Sequence, residues 1–170
     1  MPHFHSFKLN GVKGVSIYEY DDNIKSLLYQ FKGCYDYELF PIFISPFSKE
    51  LSLRYCSYVM VPAPSFELED EKRGFNHVVE MFGIINLQMY KCIYKNAKFK
   101  QAENNSHKRS DISKFLSIKN KEELTGKKVL IVDDVMTTGS TLYSMVELIR
   151  SASPKDIKIL VMAERILHLT

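Results

Sequence analysis

The stretch Val129-Leu130-Ile131-Val132-Asp133-Asp134-Val135-Met136-Thr137-Thr138-Gly139-Ser140-Thr141 decides how this chain is read. Four consecutive apolar residues predict a buried strand. Two carboxylates end it. Thr, Thr, Gly, Ser and Thr then open a helix predicted over 138–151, with Leu142, Met145, Val146, Leu148 and Ile149 as its core face and Pro154 as its stop. The first N–H groups of a helix have no partner inside it, and the helix dipole favours an anion there. Gly139 lets the backbone approach closely, while Thr137, Thr138, Ser140 and Thr141 add hydroxyl donors. The result is a phosphate cradle with no fixed positive side chain. It is not a Walker A loop, because Gly-Lys-[Ser/Thr] is absent. Carboxylates about one turn from a bound phosphate suit the hydroxyls of the sugar that carries it. Asp133 and Asp134 also suit a magnesium ion, held directly or through water. The unit reads as a binder of a ribose 5-phosphate.

Working outward, residues 157–163 predict a second strand and Tyr58-Val59-Met60-Val61 a third, which feeds the loop Pro62-Ala63-Pro64-Ser65. Strands with four-residue apolar runs, alternating with helices, imply right-handed crossovers and a mostly parallel α/β sheet covered on both faces. Ligands of such sheets sit beyond the strands' carboxyl ends, where the loops at 62–67 and 133–141 both leave. Asn10-Gly11 between loosely alternating residues predicts a small antiparallel hairpin over 5–20. Asp21 or Asp22 caps a helix with Ile24, Leu27, Leu28 and Phe31 on one stripe and Gly33 at its end. Residues 36–49 have helical spacing interrupted by Pro41 and Pro46, and residues 76–90 predict a helix capped by Asn76.

At 170 residues the chain fits one domain, and 45 % apolar with 25 % charged residues excludes wholesale disorder. Cys34, Cys56 and Cys92 form no C-x-x-C pair, which excludes a disulfide framework and a zinc ribbon. His3 and His5 are expected in a frayed terminus and not in a metal site. No signal peptide and no apolar run of about 20 residues is present, so a soluble, cytoplasmic protein without membrane insertion is expected. The net charge of +3 hides an excess of +6 between residues 95 and 121. A long, basic, weakly periodic stretch of this kind is a solvated loop or grips phosphates.

The thirteen-residue string resembles the phosphoribosyl-pyrophosphate (PRPP) motif of type I phosphoribosyltransferases. The wider chain, over roughly residues 18–165, is similar to the ComF (competence protein F) branch of that superfamily. Tyr18 to Lys32, Val61-Pro62-Ala63-Pro64, Arg73-Gly74-Phe75-Asn76-His77, Gln101 and Arg109 carry that likeness. The four-cysteine zinc-binding segment at the start of many members is not in this sequence. The resemblance implies the type I fold: a mostly parallel central sheet flanked by helices, with residues 1–20 as a small antiparallel hood and residues 21–170 as the phosphoribosyltransferase domain. It implies that Asp133 and Asp134 contact the ribose hydroxyls and that residues 137–141 hold the 5-phosphate. Pyrophosphate would be bound by Pro64, Ser65 and Phe66, with Arg73 able to reach a phosphate. The basic stretch with Lys98, Lys100, Gln101, Lys108 and Arg109 would be the mobile loop that closes over the site, Lys108 and Arg109 neutralising the leaving group.

The implied reaction is magnesium-dependent transfer of a 5-phosphoribosyl group from PRPP to a small-molecule nitrogen acceptor that the sequence does not identify. A homodimer is the superfamily's default. A different class of function competes. ComF-like proteins are associated with DNA uptake and natural transformation, and the basic stretch with Tyr90 and Tyr94 suits single-stranded DNA, or a protein of that machinery, in an adaptor with a PRPP-binding or vestigial site.

Overall fold

The computed structural model describes residues 4–95 and 116–166. Five strands form the main sheet in the order β1-β2-β7-β6-β3: β1 (His5–Leu9), β2 (Val12–Glu19), β3 (Tyr58–Pro62), β6 (Lys128–Met136) and β7 (Asp156–Glu164). β1 pairs antiparallel with β2, and every other pairing is parallel. A second, two-stranded antiparallel sheet joins β4 (Ile93–Lys95) to β5 (Leu116–Ile118).

The expected α/β class is present, with its antiparallel strands at one edge. Asn10 (φ 48°) and Gly11 (φ 78°) make the tight turn that the Asn-Gly pair predicts. β2 does more than complete the hairpin. It pairs in parallel with β7 from Lys13–Lys158 to Glu19–Glu164, so the hairpin is the edge of the main sheet. His5 is not frayed. It lies in β1, and its Nδ1 is 2.8 Å from Glu164 Oε2.

Helices cover both faces because both faces are apolar. On one side Val15, Ile17, Leu130, Val132, Leu160 and Met162 pack in a cluster with Leu28 and Phe31 of α1 (Asp22–Gly33), Phe43 and Ile44 of α2 (Phe40–Ile44), Leu51 of α3 (Ser48–Arg54) and Val78, Met81 and Phe82 of α5 (His77–Gly83). On the other side Val129, Ile131, Ile159 and Val161 pack against Leu142, Met145, Val146 and Ile149 of α6 (Ser140–Arg150) and against Ile93 and Leu116. Each fully buried side chain of this kind contributes about 1.5–3 kcal/mol.

Several boundaries differ from those predicted. β6 does not end before the carboxylates. It runs through Asp133 and Asp134 to Met136, because β7 continues pairing beside it as far as Glu164. α5 stops at Gly83, well short of residue 90, and Asn86 turns the chain with φ 58°. The segment after it instead lies along β3, with Met60 N–H donating to Gln88 O and Tyr90 N–H to Met60 O, both at 2.8 Å. Pro41 and Pro46 break the 36–49 region into short helical turns, each proline near a turn's start where its missing N–H costs nothing. α4 (Glu67–Arg73) was not predicted, since Glu-Leu-Glu-Asp-Glu-Lys-Arg has no apolar period.

Candidate active site

The carboxyl ends of β3 and β6 meet at one cleft of about 310 Å³, whose walls include Lys32, Ser65, Arg73, His77, Asp133 and Thr141. On the β6 side the chain turns at Gly139 (φ 72°) into α6, which has no side-chain N-cap. Thr137 and Thr138 are exposed, and Ser140 and Thr141 are half-buried. The Thr138 and Ser140 hydroxyls lie 2.9 Å apart. The left-handed backbone at Gly139 favours glycine, and a Cβ there would stand 3.1 Å from Leu9 Cδ1, so that side chain would have to give by a few tenths of an ångström. The described first turn of α6 therefore presents amides without a side-chain cap, and a hydrogen-bonded pair of hydroxyls, at a positive dipole end, the arrangement an oxyanion needs.

On the β3 side the loop 63–66 begins beside β6, with Ala63 N–H donating to Val132 O at 2.8 Å. Ser65 is pinned from below. Its hydroxyl donates to Asp70 Oδ2 in a short bond and accepts from Asn76 Nδ2 at 2.6 Å. Asn76 also donates to Asp70 Oδ2 at 2.8 Å and caps α5 by accepting from Val79 N–H at 3.0 Å. The predicted cap is therefore present, and it doubles as a brace for the loop. Arg73, which the sequence offers to a phosphate, lines the cleft with its side chain only 9 % exposed. Its Nε donates to Lys32 O at 3.2 Å and its Nη1 to Asp70 Oδ1 at 3.3 Å, so part of its guanidinium is spent on structure.

The two carboxylates differ sharply. Asp134 is 7 % exposed. Its Oδ1 accepts from Val135 N–H at 2.7 Å. Its Oδ2 is ion-paired with Lys32 Nζ and lies 3.4 Å from His77 Nε2. Asp133 is half-buried, and its Oδ1 accepts from Asp134 N–H at 2.9 Å, while its Oδ2 has no hydrogen bond from any described residue. Burial pushes the Asp133 carboxyl up to about 6, against the pull of the Lys32 and Lys95 charges. Burial likewise pulls the Lys32 ammonium down to about 8. His77 is held neutral, its imidazole pushed down to about 2 by burial and then by the charges of Lys32, Arg73 and Lys95. No local sequence pattern marks Lys32 or His77 as functional, although both fall inside the stretches that carry the family likeness. The only local signal was a lysine in the last turn of α1 and a histidine after the capping asparagine.

Lys32 also forms part of a neighbouring groove of about 680 Å³, with Tyr20, Lys25, Tyr29, Val135 and Thr137 on its walls. The basic residues Lys98, Lys100, Gln101, Lys108 and Arg109 lie outside the described residues. Lys95, at the end of β4, stands 4.7 Å above the Phe66 ring, beside the loop 63–66.

Residues 75–166 match the family model described as "Phosphoribosyl transferase domain". The chain belongs to that family. The matched region contains β6, α6, β7 and the whole Asp133–Thr141 string. The chain is also similar to competence protein ComFC of Streptococcus pneumoniae, at 28 % identity over 87 % of this chain and 66 % of the relative, just under two-thirds of that protein's length. A shorter likeness, 47 % identity over 36 residues, joins it to human hypoxanthine-guanine phosphoribosyltransferase, over 21 % of this chain and 16 % of the human one. A solved hypoxanthine phosphoribosyltransferase from Staphylococcus aureus superposes with a TM-score of 0.46 at 15 % identity, over 72 % of this chain and 61 % of that one. Among the described residues no helix is long and apolar enough to cross a membrane.

Proposed function

We propose that the chain binds magnesium–PRPP in the cleft between β3 and β6 and transfers its 5-phosphoribosyl group to a nitrogen nucleophile, releasing pyrophosphate. One observation carries this reading above the others. An uncapped helix start, which reaches the cleft through Thr141, shares it with a carboxylate oxygen that accepts no hydrogen bond from a described residue, and a braced loop faces it across the strand ends. A phosphate, a sugar and a diphosphate need these three features in that order.

In this reading residues 137–141 hold the 5-phosphate through amides and hydroxyls. Asp133 and Asp134 accept from the ribose hydroxyls. Pro64, Ser65 and Phe66 offer backbone to the diphosphate, with the charge of Lys95 and what remains of Arg73 close by. The acceptor's place is the 680 Å³ groove, which shares Lys32 and Val135 with the cleft.

Among the described residues no three His, Cys, Asp or Glu side chains cluster as a metal cage. That suits magnesium, which keeps waters and substrate phosphates and takes one or two carboxylates. Asp133 and Asp134 would hold it, each with an Oδ2 that accepts no hydrogen bond from a described residue. When bound with the diphosphate the ion neutralises the leaving group's charge. The protein's own part is positioning and electrostatics: it fixes the sugar between phosphate cradle and loop, excludes water, and supports a positively charged anomeric carbon beside the Asp133 carboxylate. Lys108 and Arg109 complete this reading as cations that close over the diphosphate.

The test is pyrophosphate release from PRPP and magnesium with a panel of heterocyclic bases and amines. Release that depends on the acceptor and is lost in Asp133→Asn is the expected result. Equal, slow release by both proteins removes the transferase reading for that panel.

The likeness to ComFC favours a second reading, an accessory role in DNA uptake with the same PRPP site. The Tyr90 hydroxyl accepts from Lys127 Nζ at 2.5 Å, and Lys119 Nζ lies 4.5 Å from the centre of the Tyr94 ring. Single-stranded DNA bound beside these lysines would lose affinity steeply with salt.

A further inference from the structure

We infer that Asn76 and Asp70 are positioning residues for the loop 63–66, which they hold through the Ser65 hydroxyl, and that Ser65 meets the diphosphate of the bound donor through its amide and not through that hydroxyl. The inference rests on the PRPP reading for the identity of the ligand, but the brace itself stands without it.

A helix start asks little of its cap. Ser, Thr, Asp and Asn all serve, because one acceptor for one N–H is enough. Asn76 meets that need with Oδ1, which accepts from Val79 N–H at 3.0 Å. The same bond fixes which end of the amide faces the loop. Nδ2 is thereby turned to Ser65 Oγ at 2.6 Å and to Asp70 Oδ2 at 2.8 Å. Aspartate has no donor for these two bonds, and serine or threonine has one, on a shorter side chain. The helix accepts any of the four residues, whereas the loop requires asparagine.

Ser65 is the other half of the brace. A hydroxyl has one donor, and Ser65 gives it to Asp70 Oδ2, while its oxygen takes the Asn76 amide. A diphosphate needs donors, and this side chain has none left for it. Ala63 N–H is committed to Val132 O at 2.8 Å and Pro64 has no N–H, so Ser65 carries the first main-chain donor that the loop brings past the sheet.

Asp70 is the hub, accepting from Ser65, from Asn76 and, through Oδ1, from Arg73 Nη1 at 3.3 Å. Its helix is itself tied down: Gly74 N–H donates to Asp70 O at 2.7 Å, and Arg73 Nε reaches Lys32 O of α1. Asp70 and Asn76 line a cavity of about 430 Å³ behind the loop and not the cleft in front of it, whereas Ser65 lines both. They therefore act on a ligand in the cleft only through Ser65. A loop fixed in advance spares the diphosphate the cost of ordering it.

The test uses the full chain with Asn76→Ser, Asn76→Asp, Ser65→Ala and the double variant Ser65→Ala/Asn76→Ser. Both substitutions at 76 keep a capping residue on α5, so they separate the brace from the cap. Two probes separate the ends of the donor: magnesium–pyrophosphate for the leaving group and ribose 5-phosphate for the rest. Asn76→Ser and Ser65→Ala should each weaken pyrophosphate by about tenfold, as loss of an orienting partner does elsewhere. Asn76→Asp should weaken it more, because it sets a second carboxylate against Asp70. The double variant should be no worse than the worse single, and ribose 5-phosphate affinity should be unchanged throughout.

Unchanged pyrophosphate affinity in Asn76→Ser overturns the proposal. So does equal weakening of both probes, which means a general loosening of the strand ends. Weakening in Ser65→Ala alone makes the hydroxyl a ligand and also overturns it. If the variants at 76 do not fold, Asp70→Ala carries the same prediction from α4. If the wild type binds neither probe, the PRPP reading fails by itself. The urea-unfolding cycle on positions 65 and 76 then decides the brace, non-additivity supporting it and additivity removing it.

Discussion

The two sides of the cleft are built on opposite plans. On the α6 side little is satisfied from within beyond the Thr138–Ser140 hydroxyl pair: the helix start has no side-chain cap, Thr137 and Thr138 are exposed, and Gly139 holds a left-handed turn. On the α4–α5 side the described polar groups are largely answered inside the protein, from Ser65 and Asp70 through Arg73 to His77. The first side is a socket and the second is a frame. Polar groups left open at a strand end reduce stability and wait for a ligand, whereas a closed network uses the same residue types to hold geometry.

The largest expected effect comes from removing the Asp133 charge. Asp133→Asn should weaken PRPP binding by about a hundredfold, the scale of one lost charge-assisted partner. It should also stabilise the ligand-free protein by on the order of 1–3 kcal/mol, since it removes a carboxylate whose burial raises its pKa to about 6. Calorimetric titration and urea unfolding read the two numbers. A destabilised variant would place Asp133 in the frame instead.

Next in size is the socket's turn. Gly139→Ala forces an L residue to φ 72° with its Cβ 3.1 Å from Leu9. It should cost about 1–2 kcal/mol of stability and loosen the 5-phosphate with it. Unchanged affinity for ribose 5-phosphate would mean that the turn is only structural.

The third prediction concerns pH. Sugar binding through ionised Asp133 should be steady near pH 7 and weaken about tenfold by pH 5, because the carboxyl titrates near 6. Ligand-free stability should move the other way. The raised carboxyl favours the folded chain while it is protonated, below its ordinary value, and that contribution is lost as pH rises through about 6. Titrations and melts at matched ionic strength separate these trends, and a flat binding profile from pH 5 to 7 would remove Asp133 from the sugar's contacts.

The smallest effect is expected at the far end of the sheet. Tyr58 donates to Asp156 Oδ2 at 2.5 Å, near where β3, β6 and β7 begin. Tyr58→Phe should cost about 0.5–1.5 kcal/mol and leave PRPP affinity unchanged. A large change in affinity would show that the cleft is less independent of the rest of the sheet than the two-plan description holds.

Much of this was legible in the residues. The socket is contiguous, so Thr137 to Thr141 announced both the turn and the helix start, and the Asn10-Gly11 turn announced the hairpin. The frame was not legible, because residues 65, 70, 73 and 77 meet only when the loop 63–66, α4 and α5 are assembled. Asp133 and Asp134 looked like the end of a strand because hydrophobicity stops at Val132. Hydrogen bonding with β7 does not stop there, and it carries the strand on to Met136. α4 was invisible for the related reason that it has no apolar stripe to betray it.

The most direct measurement is thermal unfolding of the wild type and of Asp133→Asn, with and without magnesium–PRPP. Ligand at about 100 times its dissociation constant should stabilise the wild type by ~2.7 kcal/mol, a shift of a few degrees at this size, and should leave Asp133→Asn nearly unmoved. No shift in the wild type at millimolar PRPP, or an equal shift in both proteins, would contradict the claim that this cleft receives the donor through Asp133.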